Sequence, residues 1–373
     1  MKKILHISKY YYPFRGGTEQ IAQDCVNSFA DSHEQRVICF HHEKKDGRDQ
    51  VDGVDIIRCG CFAKISSQPL SLSYGRILRD TLKDFQPDIV IFHYPNPFVA
   101  HYLLKYLSAA PKLIVYWHLD IIKQTLLRRL FVRQNHKLVK RADLLIATSP
   151  GYAQWSPYLN SAKEKCKVVP NCINVERLAF SDKAQEIANK IRDKYKEKII
   201  CLAVGRHTEY KGFKYLVQAS KLLDDRFEIF IIGSGEETEH LIQEAGNDQK
   251  IHFLGAVDDD ELKAYLSTMD IFCFPSITNN EAFGLALAEG MYYGKPAVTF
   301  HIPGSGVNYV CRNGKDGIEV PNRDVSAYAK AMTALANNPR LRKELGENGK
   351  QHVMDNFLNT QFKYNIQKAV DGI

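Results

Sequence analysis

Short apolar runs alternate with longer amphipathic segments along the chain. Five runs in the first half have the length and composition of buried strands: 3–8, 36–40, 88–93, 112–118 and 143–149. Five more follow in the second half: 199–205, 227–233, 251–255, 271–276 and 296–300. Strands that alternate with helices are typical of α/β folds with parallel sheets, so the pattern predicts two such domains in succession.

The segment 174–198 separates the two series of strands. It is polar and only weakly apolar, and we interpret it as the connection between two doubly wound domains. The tail, 338–373, has a helical pattern that could return to the first domain. We therefore predict an N-terminal domain over 1–175, to which 357–373 crosses back, and a C-terminal domain over 176–356.

Composition and charge narrow the functional class. The formal net charge of +7 favours anionic partners such as phosphates or acidic lipid surfaces. There is no zinc-finger spacing and no dominant basic stripe with interleaved aromatics, so nucleic acid is not an expected partner. The nine cysteines are scattered singly, which argues for reduced thiols in a cytosolic protein. No apolar stretch reaches the roughly 18 residues of a membrane span.

Two glutamates, Glu281 and Glu289, lie eight positions apart in "EAFGLALAEGMYYGKP". On a continuous helix this interval rises about 12 Å. Carboxylates that act as a pair on one glycosidic bond are closer, at about 5–9.5 Å. The spacing therefore argues against an acid/base pair, and the two side chains could instead hold the two ends of one long ligand.

Two glycine-containing loops follow predicted strands and lead into helices. Gly16 and Gly17 would let the backbone and a helix N-terminus approach an anion, although an ordinary strand–helix turn is the alternative. In the second half, Gly205 ends a strand, and Arg206 and Lys211 precede the next helix. Two cations beside a helix N-terminus can clamp a pyrophosphate, with a solvated basic turn as the alternative.

Acidic and histidine side chains offer further candidates. Asp258 and Asp260 open a helical pattern, and N-terminal capping explains them more simply than a metal site. We therefore expect no metal there. His118 ends a predicted strand, at the edge where α/β sheets bind ligands, but a purely structural histidine is equally compatible with this position.

The segment 121–142 contains seven Lys or Arg residues and no acid. Its apolar residues recur with helical spacing: Ile122, Leu126, Leu127 and Leu130. A basic amphipathic helix can contact an anionic membrane surface. A helix that packs on the core and exposes a basic face to solvent is the alternative.

Together, these motifs resemble those of the retaining glycosyltransferases of family 4, which have the GT-B fold. The resemblance covers nearly the whole chain, in order: "GGTE", the strand that ends in "WH", "VVPNCIN", "VGRHTEYKG", "GSGE", "FLGAV", "FPS" and "EAFGLALAEGMYYGKPAV". The last motif is similar to the family's E-x7-E signature. The full set of motifs is highly specific for this family, whereas any single motif would be weak evidence.

The resemblance implies an α/β architecture of two Rossmann-like, doubly wound domains that face a central cleft. The C-terminal helix would pack back on the N-terminal domain. The N-terminal domain would be the acceptor side, and the C-terminal domain would hold a nucleotide-sugar donor. The donor is a co-substrate, and no metal or other cofactor is expected.

Roles carry over to the positions that match the family's motifs. Arg206 and Lys211 would neutralise the donor pyrophosphate. Glu281 would contact the hydroxyls of the donor sugar, and Glu289 would bind the ribose. The remaining candidates are the backbone amides of Phe283, Gly284 and Leu285 for phosphate, Gly16 and Gly17 for phosphate and acceptor, His118 for the sugar, and the backbone near Val257 for the base.

The reaction implied is the transfer of a hexose to a glycan or lipid-linked acceptor in surface polysaccharide biosynthesis. Retention of the anomeric configuration without a pair of catalytic carboxylates implies a front-face mechanism. Within the family, the sequence as a whole most resembles the mannosyltransferases of O-antigen-type assembly, so GDP-mannose is the expected donor. The inner face of the membrane is an expected location. A sugar-nucleotide epimerase or hydrolase on the same fold, or a non-catalytic membrane-associated scaffold, are the alternatives.

One departure from the family pattern lies inside the E-x7-E motif. Gly290 follows Glu289 where the family usually has alanine. A glycine within a helix costs about 1 kcal/mol of helix propensity relative to alanine. We expect that it admits a neighbouring backbone or a ligand.

Overall fold

A computed structural model describes residues 1–14, 16–65, 68–120 and 125–373, and leaves out the side chains of 125–130. The chain divides into two compact units. The first unit comprises Met1–Cys172 with Thr360–Ile373, and the second comprises Ile173–Asn359. The divisions therefore fall at Cys172 and Asn359, where the sequence predicted 175 and 356.

The first unit contains ten strands and seven helices among its described residues. The strands are β1 (Lys2–Ile7), β2 (His33–Phe40), β3 (Gly47–Val51), β4 (Val54–Cys59), β5 (Ala63–Ile65), β6 (Gln68–Leu70), β7 (Ile89–Tyr94), β8 (Lys112–Trp117), β9 (Leu144–Ala147) and β10 (Cys166–Val168). The helices are α1 (Gly17–Ser28), α2 (Tyr74–Phe85), α3 (Pro97–Tyr106), α4 (Thr125–Arg141), α5 (Pro150–Trp155), α6 (Pro157–Asn160) and the last helix of the chain, α15 (Asn359–Asp371).

Eight of these strands form one sheet in the order β10-β9-β8-β7-β1-β2-β4-β3. All neighbours are parallel except β3, which pairs with β4 in antiparallel fashion. The central strand β7 is buried along its whole length, as expected for a parallel sheet that helices cover on both faces. The strand order reverses between β7 and β1, where doubly wound sheets bind ligands at the carboxyl ends of the strands.

Helix α15 packs back on the first unit, as predicted. The Lys363 ammonium lies 3.1 Å from the Asp31 carboxylate, and the Gln367 amide donates to the Ser28 carbonyl at 2.6 Å. Both partners lie in α1 or directly after it. The C-terminal residues therefore cover the helix that follows the first strand.

The second unit contains six strands and eight helices. The strands are β11 (Ile199–Val204), β12 (Phe227–Ile232), β13 (Ile251–Gly255), β14 (Ile271–Phe274), β15 (Ala297–Phe300) and β16 (Gly317–Val320). The helices are α7 (Asp182–Lys194), α8 (Phe213–Ser220), α9 (Thr238–Ala245), α10 (Asp259–Thr268), α11 (Leu285–Tyr292), α12 (Val307–Val310), α13 (Val325–Asn337) and α14 (Pro339–Asn356). The sheet is fully parallel, in the order β13-β12-β11-β14-β15-β16, and it reverses between β11 and β14.

All ten predicted strands are present, but the segment 174–198 is more than a connection. It contains α7, which packs on α10 within the second unit. Ser181, the N-cap of α7, donates to Asp260 at 2.7 Å, and the Lys183 ammonium lies 2.9 Å from Asp258. The interpretation of 174–198 as a connection therefore holds only outside α7, which belongs to the second unit.

The basic segment 121–142 lies partly outside the described residues: 121–124 entirely, and 125–130 by their side chains. The contact of this segment with an anionic membrane surface therefore remains a prediction. Farther along α4, Leu138 is buried, and Asn135 accepts a hydrogen bond from the Tyr94 hydroxyl at 3.0 Å. This half of the helix packs on the sheet. In the part of the chain that the structure describes, no helix combines the length and apolarity needed to cross a membrane.

Candidate functional site

The loop after β11 turns sharply to bring Lys211 to the carboxyl edge of the sheet. Gly212 adopts φ +64°, and a Cβ there would collide with the Pro275 carbonyl oxygen. Only glycine fits, because both the backbone conformation and the space exclude a side chain. This close approach joins the loop after β11 to the segment that follows β14.

Lys211 forms an ion pair with the Glu281 carboxylate, across 70 residues of sequence. The Ser276 hydroxyl donates to the same carboxylate oxygen at 3.1 Å. Burial alone would lower the pKa of the Lys211 ammonium, but the charge of Glu281 and the neighbouring Tyr210 raise it above its ordinary value. Lys211 is therefore charged at neutral pH. We call Lys211 and Glu281 the donor-side pair.

Glu281 does not belong to a helix. Helix α11 begins only at Leu285, so the eight-residue interval to Glu289 is not a continuous helix and the estimate of about 12 Å does not apply. Glu281 lies in the preceding turn. The Ser305 hydroxyl donates to the Glu281 carbonyl and fixes this turn to the loop after β15.

The N-terminus of α11 lies next in the chain after Glu281. Gly284 caps it with φ +97°, a conformation in which a side chain is strained. The first amides of any α-helix have no acceptor within the helix, so the backbone from Phe283 to Leu285 offers donors to an anion. The helix dipole adds to the positive charge of Lys211.

Glu289 lies on α11 and pairs with a different cation. Arg177 approaches its carboxylate at 3.3 Å and the Asp259 carboxylate at 3.6 Å. Burial raises the pKa of Glu289; Arg177 opposes this shift, and Asp259 adds to it. Arg177 therefore favours the ionised form of this carboxylate, against the effect of burial.

Two further donor-side candidates frame this region. Arg206, in the loop after β11, is exposed to solvent. Val257 follows β13 and packs partly buried against the core of the second unit. Thr238, where a dinucleotide fingerprint would have glycine, binds His207 and the Gly235 amide at 2.9 Å each. These hydrogen bonds connect the loop after β12 to the loop after β11, which contains His207.

The capping interpretation is confirmed for Asp258, whereas Asp260 lies in the first turn of α10. Asp258 is the N-cap of α10, and its carboxylate accepts from the Glu261 amide at 2.8 Å in a capping box. The hydrogen bond from Lys183 lowers the pKa of Asp258. Asp260 binds Ser181 and Lys263, and these bonds lower its pKa to about 2. Both acids serve the junction of α7 and α10.

In the first unit, His118 lies directly after β8 and is buried. Its Nε2 lies 3.0 Å from Nδ1 of His93, and the two rings stack with centroids 5.3 Å apart. Burial lowers the pKa of His118 to about 3, so the imidazole is neutral at physiological pH. A neutral histidine can hydrogen-bond a sugar hydroxyl but carries no charge for phosphate.

Gly16 and Gly17 begin α1, with Gly16 as the N-cap in an extended conformation. A Cβ on Gly16 would collide with the Glu19 carboxylate. This carboxylate therefore lies against the start of the helix. An anion placed here would meet the repulsion of Glu19 as well as the attraction of the helix N-terminus.

The structure thus brings Lys211 and Glu281 together at the switch point of the second unit. It places Gly16, Gly17 and His118 at the carboxyl ends of strands of the first. Sequence reasoning missed four supporting residues: Arg177, Ser276, Ser305 and His93. Of these, two carried a local signal: Ser276 belongs to the motif "FPS", and His93 closes the apolar run "IVIFH" just as His118 closes "IVYWH".

Both halves of the chain match known sequence families. Residues 16–172 match a family described as "Glycosyl transferase 4-like domain". Residues 184–352 match one described as "Glycosyl transferases group 1". The two matches follow the two units of the structure in order and leave out little of the chain.

Curated relatives and solved structures agree with this assignment. The chain is 29% identical to the D-rhamnosyltransferase WbpZ of Pseudomonas aeruginosa, over 93% of this chain and 90% of that protein. It is 27% identical to the O-antigen chain mannosyltransferase C of Escherichia coli, over 96% and 97%. HepE of Anabaena, solved in complex with UDP-glucose, is similar in structure with a TM-score of 0.78, 17% identity, and complete coverage of both chains. The likeness confirms the predicted GT-B fold class.

Proposed function

This chain belongs to the glycosyltransferases, and we propose that it transfers a hexose, with retention of anomeric configuration, from a nucleotide sugar to a glycan or lipid-linked acceptor. The process it would serve is the assembly of a surface polysaccharide. The donor-side pair, set beside the N-terminus of α11, is the observation that carries the proposal. Family membership favours transfer over the epimerase, hydrolase and scaffold alternatives.

The donor would lie along the carboxyl edge of the second unit. Lys211 and the amides of Phe283, Gly284 and Leu285 bind the diphosphate, because an ammonium and a helix N-terminus both attract anions. Arg206 is exposed and adds a second cation. Two cations and a dipole supply the charge that a metal ion would otherwise bring, so we propose that no metal takes part in the transfer.

The two glutamates would act on different parts of the donor. Glu281, oriented by Lys211 and Ser276, accepts hydrogen bonds from hydroxyls of the sugar. Glu289, oriented by Arg177, accepts from the ribose. The backbone near Val257 contacts the base, which lies beyond the ribose.

The transfer breaks the bond between the anomeric carbon and the diphosphate oxygen and forms a bond to the acceptor oxygen on the same face. The proton of the acceptor hydroxyl passes to the departing diphosphate. Lys211 and the helix N-terminus stabilise the negative charge that develops on the leaving group, which is where electrostatic catalysis is most effective. Positioning of the donor and the acceptor supplies the rest of the rate enhancement.

On the acceptor side, neutral His118 would hydrogen-bond the transferred sugar. The Gly16–Gly17 turn would allow the acceptor and the donor phosphates to approach the backbone closely. Glu19 lies against Gly16, which makes the acceptor hydroxyls the better partners of this turn.

The donor sugar is proposed to be mannose, carried by GDP. Two relatives that match nearly the whole chain are named for mannosyl and D-rhamnosyl transfer. D-Rhamnose is 6-deoxymannose, so the two sugars share the arrangement of hydroxyls at C2, C3 and C4. HepE, which has the same fold, was solved with UDP-glucose, and the base therefore needs a direct test.

A thermal-shift panel tests the donor. GDP-mannose, GDP, UDP-glucose, UDP and ADP-glucose are added to the protein, with and without Mg²⁺ and EDTA. We expect GDP-mannose and GDP to raise the melting temperature through linkage, unaffected by EDTA. The absence of a shift with every nucleotide and nucleotide sugar would overturn the proposal. A shift with uridine compounds alone would keep the transferase and reject GDP-mannose.

We also propose that the protein acts on the cytoplasmic face of the membrane, with 121–142 in contact with anionic lipid. The test is sedimentation with vesicles of phosphatidylglycerol and phosphatidylcholine. Neutralising Arg128, Arg129 and Arg133 should weaken binding, since each basic residue near an anionic surface contributes about 1 kcal/mol. Neutralising Lys330, Arg340 and Lys343 on the second unit is the matched control. Equal binding by both triple variants would reject the contact.

A further inference from the structure

Three side chains that can bind a metal meet inside the first unit, and none of the three is itself assigned to the donor. They are His6 on β1, Cys25 on α1 and His93 on β7. Their potential ligand atoms all lie within 4.8 Å of one another, and all three residues are almost completely buried. The two strands are neighbours in the sheet, and α1 covers them.

The protonation of His6 follows from its surroundings. The Gln35 amide nitrogen donates to the Val26 carbonyl at 3.0 Å, which fixes the orientation of the Gln35 side chain. Gln35 Oε1 therefore accepts the proton of His6 Nε2, 2.8 Å away. The other ring nitrogen, Nδ1, carries a lone pair. It has no hydrogen-bond partner within the described part of the chain.

His93 is arranged in the same way. Its Nδ1 contacts His118 Nε2 at 3.0 Å, whereas its Nε2 has no hydrogen-bond partner among the described residues. Two buried nitrogens thus face the Cys25 thiol. A single S–H group can donate to only one of them. Buried polar atoms without partners are unfavourable, and a bound water molecule or ion would give these two nitrogens a partner.

We propose that His6 Nδ1, Cys25 Sγ and His93 Nε2 bind one thiophilic cation of the Zn²⁺ or Cu⁺ class. Imidazole and thiolate are the ligands these cations prefer. Bonds of about 2.0–2.3 Å would bring the three atoms closer together, with a shift of roughly 1 Å for the widest pair. Gln35 and His118 bind the outer nitrogens of the two imidazoles, as partners of metal-bound histidines usually do.

Binding requires that Cys25 lose its proton. The S–H bond breaks, a sulfur–metal bond forms, and the proton leaves to solvent. Burial and the charge of Asp24 raise the pKa of the Cys25 thiol above its ordinary value, so the apo site holds the thiol form. Burial lowers the pKa of His6 to about 4, which leaves its nitrogen unprotonated and ready to bind. Metal affinity should therefore increase with pH.

The cation would also fix the proton positions at His118. With the metal on Nε2, His93 carries its proton on Nδ1 and donates it to His118 Nε2. His118 then carries its own proton on Nδ1. This inference does not depend on the proposed donor or reaction, and the metal takes no part in the transfer of the sugar.

The test measures metal directly. The full chain is purified without added chelator, and zinc and copper are measured by elemental analysis. It is also refolded with Co²⁺, whose thiolate charge-transfer band reports a sulfur ligand. We expect about one equivalent of metal per chain and a cobalt–thiolate band. Cys25→Ala should remove the band and lower the metal content at least tenfold. Cys201→Ala, which removes a buried thiol from the second unit, is the matched control.

Two results would overturn the proposal. One is a metal content below a tenth of an equivalent, both as purified and after refolding with Zn²⁺ or Cu⁺. The other is a cobalt–thiolate band that survives Cys25→Ala. Cys25→Ser, which keeps the side-chain size, replaces the alanine variant if the latter does not fold. Donor binding is not part of either measurement, so failure of the proposed function leaves this result unaffected.

Discussion

Glu281 and Glu289 belong to one motif, yet the structure supports them in different ways. Glu281 lies in a turn before α11, with Lys211 and Ser276 on its carboxylate. Glu289 lies within the helix and is held by Arg177. Each is a partly buried acid with one cationic partner. The cation of Glu281 is itself assigned to the donor diphosphate, whereas Arg177, which also contacts Asp259, has no assigned contact with the donor.

This difference predicts two kinds of defect. A change at the donor-side pair alters both the sugar contact and the charge on the leaving group, so it should affect the chemical step. A change at Glu289 or Arg177 alters a contact that is the same before and during the reaction. Such uniform contacts affect substrate binding without affecting the chemical step.

The largest effect is expected from Glu281→Gln. The amide keeps the size of the side chain but removes the charge that binds the sugar hydroxyls and Lys211. We expect kcat for transfer to fall at least ~1,000-fold, with binding of GDP largely intact. Single-turnover transfer and calorimetric titration with GDP measure the two quantities. Glu344→Gln, on the exposed face of α14, is the control, and full activity of Glu281→Gln would reject the assignment.

Lys211→Ala should lower kcat/KM for the donor about 100-fold and also destabilise the fold. The loss leaves the Glu281 carboxylate without its cation, which costs about 3 kcal/mol for a buried pair. Arg206→Ala is the comparison, because Arg206 is exposed. Arg206→Ala should weaken binding of the donor by about tenfold and change the free energy of unfolding by less than about 0.5 kcal/mol. Equal destabilisation by both variants in urea unfolding would contradict this distinction.

Removing Arg177 should make donor binding sensitive to acid. Arg177 opposes the rise of the Glu289 pKa that burial causes, so Arg177→Ala should raise that pKa further. In the proposed site, the ionised carboxylate of Glu289 accepts a hydrogen bond from the ribose. Donor affinity should therefore fall at a higher pH in Arg177→Ala than in the unmodified protein as the solution is acidified.

The measurement is the dissociation constant of GDP-mannose from pH 8 down to about pH 5. Arg177→Ala with Glu289→Gln is the control, since it cannot titrate at this position and should show no such difference. If the double variant keeps the acid sensitivity, another group causes it. At pH 8 we expect a loss in affinity of about tenfold for Glu289→Ala.

The smallest effect concerns Gly290, which was expected to admit a backbone or a ligand. It packs instead on the ring of Phe272 in β14, and a Cβ would lie 2.6 Å from Phe272 Cγ. Gly290→Ala gains about 1 kcal/mol of helix propensity but overpacks the core, which costs about 1–3 kcal/mol. We expect net destabilisation in urea unfolding. Phe272→Leu in the same chain should reduce the loss, and a more stable Gly290→Ala would contradict the explanation.

The sequence was sufficient to predict ten of the strands, because each is a compact apolar run. It did not predict β3 and β4, whose residues are half polar, although Asp52 and Gly53 form the turn of this hairpin. The estimate of about 12 Å also treated Glu281 to Glu289 as one helix. Glu281 lies instead in a turn, and α11 begins only after Gly284. Such boundaries depend on the local backbone more than on hydrophobic periodicity.

The ion pairs of the site could not be predicted for another reason. Lys211 and Glu281 are 70 residues apart and meet only because β11 and β14 are neighbours at the switch point of the sheet. Arg177 reaches Glu289 from the segment that we interpreted as the connection between the domains. His93 and His118 likewise meet because β7 and β8 are adjacent. The two pairs at neighbouring strands depend on strand order, and the Arg177 contact depends on how the segment before α7 packs, neither of which a single sequence reveals.

The most direct test of the two roles is the ratio of the dissociation constants of GDP and GDP-mannose, measured calorimetrically for the unmodified protein, Glu281→Gln and Glu289→Ala. This ratio reports what the sugar adds to binding. If Glu281 holds the sugar and Glu289 the ribose, Glu281→Gln lowers the ratio by about tenfold, whereas Glu289→Ala weakens both ligands and leaves the ratio unchanged. A ratio that both variants change equally, or that only Glu289→Ala changes, would contradict the division of roles.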